Sequence, residues 1–145
     1  MTKVLKFWRL QPDDRWLVLE AAVLLGFARL GVIVLPFRFL AAALGTQAAD
    51  LERCETTTPA PQIARVGWAV RRISCHTPWQ SNCLTKAVAG RIMLRRRRIA
   101  STVYFGLTKT RDGALQAHAW LSTGNSSMTG GSNLNRYTVV AKFID

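Results

Sequence analysis

Pro78-Trp79-Gln80-Ser81-Asn82-Cys83-Leu84 reads as a break followed by the first turn of a helix. Proline cannot continue a helix from upstream, and Ser81 and Asn82 are side chains that favour the N-cap. Beyond them Leu84, Ala87, Val88, Ile92 and Met93 recur at helical spacing, which predicts an amphipathic helix from Cys83 to about Arg95. Cys83 then lies in the first turn. The unpaired N–H groups there carry partial positive charge, which stabilises a thiolate and suits the oxyanion of a tetrahedral intermediate. A cysteine is as often a small buried apolar residue, so this stretch alone leaves chemistry and packing both open.

The sequence downstream is of a different kind. Ser101-Thr102-Val103-Tyr104-Phe105-Gly106-Leu107 is β-branched and aromatic, and Thr110-Arg111-Asp112-Gly113 supplies a hairpin turn. Leu115 to Thr123 is the returning strand. Gly124-Asn125 is a second turn, Ser126 to Thr129 a third strand and Tyr137 to Phe143 a fourth. The expectation is an antiparallel meander with His118 on an inner strand. Strand side chains alternate, so His118 and Trp120 share one face. The fold class expected is α+β, with a cysteine helix packed on an antiparallel sheet that carries the histidine. This is a papain-like arrangement, in which the imidazole takes the thiol proton and later serves as general acid. The chain has two histidines, and this one sits within Ala117-His118-Ala119-Trp120.

Taken in order, Trp79 separated by three residues from Cys83-Leu84, the Arg-rich helix end, Tyr104-Phe105-Gly106-Leu107, Ala117-His118-Ala119-Trp120 and Gly130-Gly131 resemble the lasso peptide leader peptidases. These are cysteine proteases of the transglutaminase-like group. The likeness runs from about Pro78 to Phe143, and the hydrophobic N-terminal part, with Leu35-Pro36-Phe37-Arg38, is similar to the short, split form. The resemblance implies a substrate: a ribosomally synthesised lasso precursor, cut between leader and core next to a threonine. It also implies partners, namely a separate leader-binding protein (a RiPP recognition element) and an ATP-dependent lasso cyclase. Trp79 and Trp120 are candidates to contact substrate, and Gln80 is a candidate oxyanion donor.

The group orients its histidine with an aspartate a dozen or so residues further on. Here no acid follows His118 before Asp145, and the corresponding position falls near Gly130. Two polar residues are candidates for the role. Thr129 faces Trp120 if Gly124-Asn125 is a two-residue hairpin, and Asn133 is the nearest amide. The absent acid also admits a non-catalytic reading, a peptide- or partner-binding module on a degenerate papain-like scaffold. Acyl transfer to an amine is a third possibility.

Three cysteines, Cys54, Cys75 and Cys83, make an odd count, and Asp13, Asp14 and Arg15 interrupt any signal-like N-terminus. A cytoplasmic location with free thiols is expected. Cys75-His76 with Cys83 and His118 fits no usual zinc spacing, so no metal or cofactor is expected. Net charge is +12; residues 79–145 carry ten bases and two acids (+8), and residues 1–78 ten bases and six acids (+4). No basic–aromatic interleaving accompanies it, which argues against nucleic acid and for an acidic peptide or partner. Arg95-Arg96-Arg97-Arg98 suits the negative end of a helix dipole or a binding site equally.

Three regions are expected. Residues 1–45 form a hydrophobic helical region, basic and aromatic at Lys3, Lys6, Phe7, Trp8 and Arg9, then apolar from Trp16 to Leu35. Glu20 and Arg29 within that run count against a bilayer span, so helices broken at Pro36 that pack on each other or hold a partner protein are expected instead. Residues 46–61 read as a linker, and 62–145 as the protease-like domain. That domain opens with a helix whose Ile63, Val66, Val70 and Ile73 share a face.

Overall fold

The computed structural model describes residues 11–47, 60–77, 82–124 and 126–144. Helix α1 runs Pro12–Val34, with Pro12 in its first turn beside Asp13 and Asp14, where negative charge suits the helix dipole. Pro36 separates it from α2, Phe37–Ala43. Gly45 follows with φ +95°, a conformation that glycine takes without strain. A short strand β1, Thr46–Gln47, leads on. Helices α3, Ala60–Ser74, and α4, Cys83–Arg96, come next. The last elements are β2 (Thr102–Lys109), β3 (Leu115–Thr123), β4 (Ser126–Ser127), a 3-10 turn at Leu134–Arg136 and β5 (Thr138–Ile144).

The α+β class is as expected. The strands form one antiparallel sheet in the order β1-β5-β2-β3-β4. Only β2, β3 and β4 make the expected meander. The last strand crosses back to the far side of β2, pairing Val103 with Phe143. The stretch read as a linker begins with β1, which pairs Thr46 with Ile144 and closes that edge.

One core spans the helices and one face of the sheet. It joins Leu17, Leu25, Val66, Val70, Met93 and Leu94 of the helices to Val103, Leu121 and Phe143 of the strands. Leu25 and Leu121 are 0% exposed, and burying each contributes about 1.5–3 kcal/mol. The N-terminal helix therefore shares its core with the helices and sheet that follow. Gly90 lets α4 lie close on β3: a Cβ there would stand 2.8 Å from Leu121 Cδ2. Buried Arg91 ties α4 to β5, donating from Nη1 to the Phe143 carbonyl at 2.8 Å. Ion pairs fasten α1 from two sides. Arg65 of α3 meets Asp14 at 2.6 Å, and Arg97, just past α4, meets Glu20 at 2.6 Å. The Asp14 hydrogen bond, with its charge, raises the Arg65 pKa.

Candidate functional site

Cys83 is the first residue of α4 and is half-buried. The sequence places it there because Asn82, with extended backbone (φ −62°, ψ 162°), is the N-cap. The expected side-chain cap is not made. Asn82 contributes its backbone carbonyl instead, accepting from the Lys86 N–H at 3.1 Å. Ser81, Trp79 and Gln80 lie outside the described residues.

His118 sits in the middle of β3, opposite Gly106 of β2. Its Nε2 is 2.9 Å from the carbonyl oxygen of Gly130. A carbonyl only accepts, so Nε2 carries the proton and Nδ1 of the neutral ring keeps its lone pair. The ring also stacks on Tyr137, with centroids 4.9 Å apart and planes at 27°. Trp120 lies beyond, 6.2 Å from the His118 centroid and stacked on Tyr104 at 5.5 Å. Gly106 makes room for this cluster: a Cβ there would be 2.8 Å from both Trp120 Cζ3 and Tyr137 Cβ.

His118 and Trp120 do share a face. Trp120 is 6% exposed, enclosed by its aromatic neighbours, so it packs the site and does not line a substrate surface.

The two residues expected to orient the imidazole do not reach it. The N–H groups of Met128 and Thr129 both approach the Leu121 carbonyl, at 2.8 and 3.4 Å. Two residues thus oppose one, a β-bulge. The slip turns Thr129 away, and its buried Oγ1 accepts from the Leu121 N–H at 3.1 Å. Gly130 takes the place beside Trp120 and His118. Its φ is +106°, and a Cβ there would stand 2.5 Å from Trp120 Cβ. Every other residue, aspartate included, is therefore disfavoured at this position. Asn133 is exposed and precedes the 3-10 turn. Sequence reasoning located the position but missed both groups that hold the ring, the Gly130 carbonyl and Tyr137.

The cysteine and the histidine approach the sheet from different sides. Leu121 points to α4, as its contact distance to Gly90 shows. Alternation along the regular β2–β3 ladder points His118 to the opposite face. Along their elements, Cys83 lies seven residues before Gly90 on α4, and His118 three residues before Leu121 on β3. β4 pairs with the outer edge of β3 at Ser122 and Thr123, and Met128 to Gly130 continue beside that edge, bonded to Leu121 and His118.

The rest of the polar inventory lies elsewhere. Cys75 is exposed past the end of α3, and Nδ1 of His76 is bonded to the Arg72 carbonyl at 2.7 Å.

Compared with known proteins, residues 31–142 match the family model described as the transglutaminase-like superfamily. The match covers the sheet, α4 and the whole candidate site. No curated protein and no solved structure matches the chain.

Proposed function

The chain belongs to the transglutaminase-like superfamily, and from that footing we propose that it is a cysteine peptidase that removes the leader from a ribosomally made lasso precursor. The superfamily includes cysteine peptidases. In this reading, Cys83 and His118 act as a pair, which requires the thiol to come round from the helical side of the sheet to the imidazole. Nδ1 of His118 takes the thiol proton, and the thiolate attacks the scissile carbonyl. The carbon–nitrogen bond breaks as the imidazolium returns that proton to the leaving amine. Water, deprotonated by the same ring, then hydrolyses the thioester and frees the thiol.

The observation that carries this reading is the 2.9 Å contact from His118 Nε2 to the Gly130 carbonyl. It fixes the ring in the tautomer that leaves Nδ1 basic. An aspartate would add charge stabilisation of the imidazolium; a carbonyl supplies direction and a partial charge only. The separate leader-binding protein presents the precursor, and the ATP-dependent cyclase closes the ring afterwards.

The test is cleavage of the precursor by the purified chain with its leader-binding partner. Cys83→Ala is expected to abolish product while leaving the circular dichroism spectrum unchanged. Retained cleavage in that variant removes the assignment.

A second reading is favoured by the opposite-face placement of His118 and by the missing acid. In it the domain binds the leader without cutting it. Equal, slow reaction of all three cysteines with a thiol reagent would support that reading.

A further inference from the structure

The outward face of α1 is apolar along its whole length. Trp16, Leu19, Val23, Phe27, Leu30 and Val34 fall on one stripe, with Trp16 75% and Phe27 66% exposed. The stripe lies directly opposite the buried residues Leu17, Val18, Ala21, Leu25 and Ala28. Past Pro36, Phe37 and Phe39 are exposed as well. A contiguous apolar surface of this extent on a soluble chain marks an interaction site.

What borders the stripe identifies the partner. Glu20 sits on one margin and is ion-paired to Arg96 at 3.3 Å and Arg97 at 2.6 Å. Arg96 and Arg97 are therefore drawn to that margin, with the Arg96 side chain 65% exposed. Their neighbours Arg95 and Arg98 line a shallow cleft of about 230 Å³ with Ile99 and Ala100. Arg29 lies on the other margin, and exposed Arg38 stands between the two phenylalanines of α2. Asp14 faces inward to Arg65. The apolar strip is thus bordered by arginines on both margins, with Glu20 and exposed Asp13 among them on one side, on a chain of net charge +12.

We propose that this face seats the protein on an anionic lipid bilayer, with α1 lying in the plane of the interface. The stripe enters the boundary between headgroups and acyl chains, and the arginine margins meet lipid phosphates. A bilayer needs no shape complementarity from an apolar strip, whereas a protein partner would need a matching groove. Helix α1 has 23 residues and sufficient hydropathy to span, but spanning would strip its five core side chains out of the fold. Glu20 and Arg29, which count against a span, belong at the margins of a helix that lies flat.

The experiment is co-sedimentation of the full chain with vesicles. Vesicles of phosphatidylglycerol mixed with phosphatidylcholine are expected to bind it roughly tenfold or more tighter than phosphatidylcholine alone, and salt should weaken the binding. Phe27→Ser with Leu30→Ser is expected to abolish binding to both. Arg96→Gln with Arg98→Gln should lower affinity for the anionic vesicles only. Absence of binding to either vesicle overturns the proposal. So does lipid-free self-association that Phe27→Ser abolishes, which would name a second copy as the occupant. Retention in membranes after an alkaline carbonate wash would also overturn it, by showing a span. Neither variant alters Cys83 or His118, so cleavage of a soluble precursor is expected to persist and the two proposals fail separately.

Discussion

At residue scale the site turns on Gly130. Its positive φ and its closeness to Trp120 present its carbonyl to His118. Gly130→Ala is expected to cost about 2 kcal/mol in chemical denaturation, and Gly130→Asp should not enhance cleavage, because the new side chain disturbs Trp120 before it can aid the ring. Tyr137 holds the other side of the imidazole. Tyr137→Phe keeps the stacking surface and is expected to keep activity. Tyr137→Leu should lower kcat more than KM. Nitrogen NMR of the histidine ring checks the cause: the Nε2-protonated tautomer should persist in Tyr137→Phe and mix with the other tautomer in Tyr137→Leu.

The sequence led to within one residue of this arrangement. Counting through the hairpin put the orienting position near Gly130. The bulge at Leu121 was not legible, because a one-residue slip next to a turn leaves no mark in the hydrophobic pattern. Thr129 therefore looked like the neighbour of Trp120. Reasoning confined to side chains also could not offer a backbone carbonyl as the third group.

At the scale of elements, the packing of α4 on β3 positions the helix that carries Cys83. Leu121 and Gly90 form the contact. Leu121→Ala is expected to destabilise the fold by about 3 kcal/mol, read from the denaturation midpoint. It should also slow cleavage beyond the loss of folded protein, since the helix is then free to shift. The Glu20–Arg97 pair joins α1 to the turn after α4. Glu20→Gln is expected to cost about 1 kcal/mol, less in high salt.

Helix limits and the β2–β3 hairpin were readable because each had local punctuation: Pro12, Pro36, Gly45 and Asp112-Gly113. The return of β5 to the far side of β2 was not. Nothing local in Thr138–Ile144 says which neighbour it pairs with, and that choice is made by the long-range core contact of Phe143 with Val103.

At the scale of the molecule, one sheet separates two kinds of surface. Its helical side holds the continuous core and, beyond it, the exposed face of α1. Its other side holds the aromatic cluster that steadies His118. The papain-like reading anticipated the α+β class and the elements that carry the two residues. It did not anticipate that the histidine faces away from the cysteine helix, because strand parity relative to a helix is set by packing that spacing alone does not reveal. The proposed pairing of the two residues therefore requires the thiol to come round from the helical side of the sheet to the ring.

That pairing is tested most directly by the rate at which a small haloacetamide alkylates each cysteine at neutral pH. The account predicts Cys83 reacting roughly tenfold or more faster than Cys54 and Cys75, with the excess lost in His118→Ala. Equal rates at all three thiols, or a Cys83 rate indifferent to His118→Ala, would contradict it.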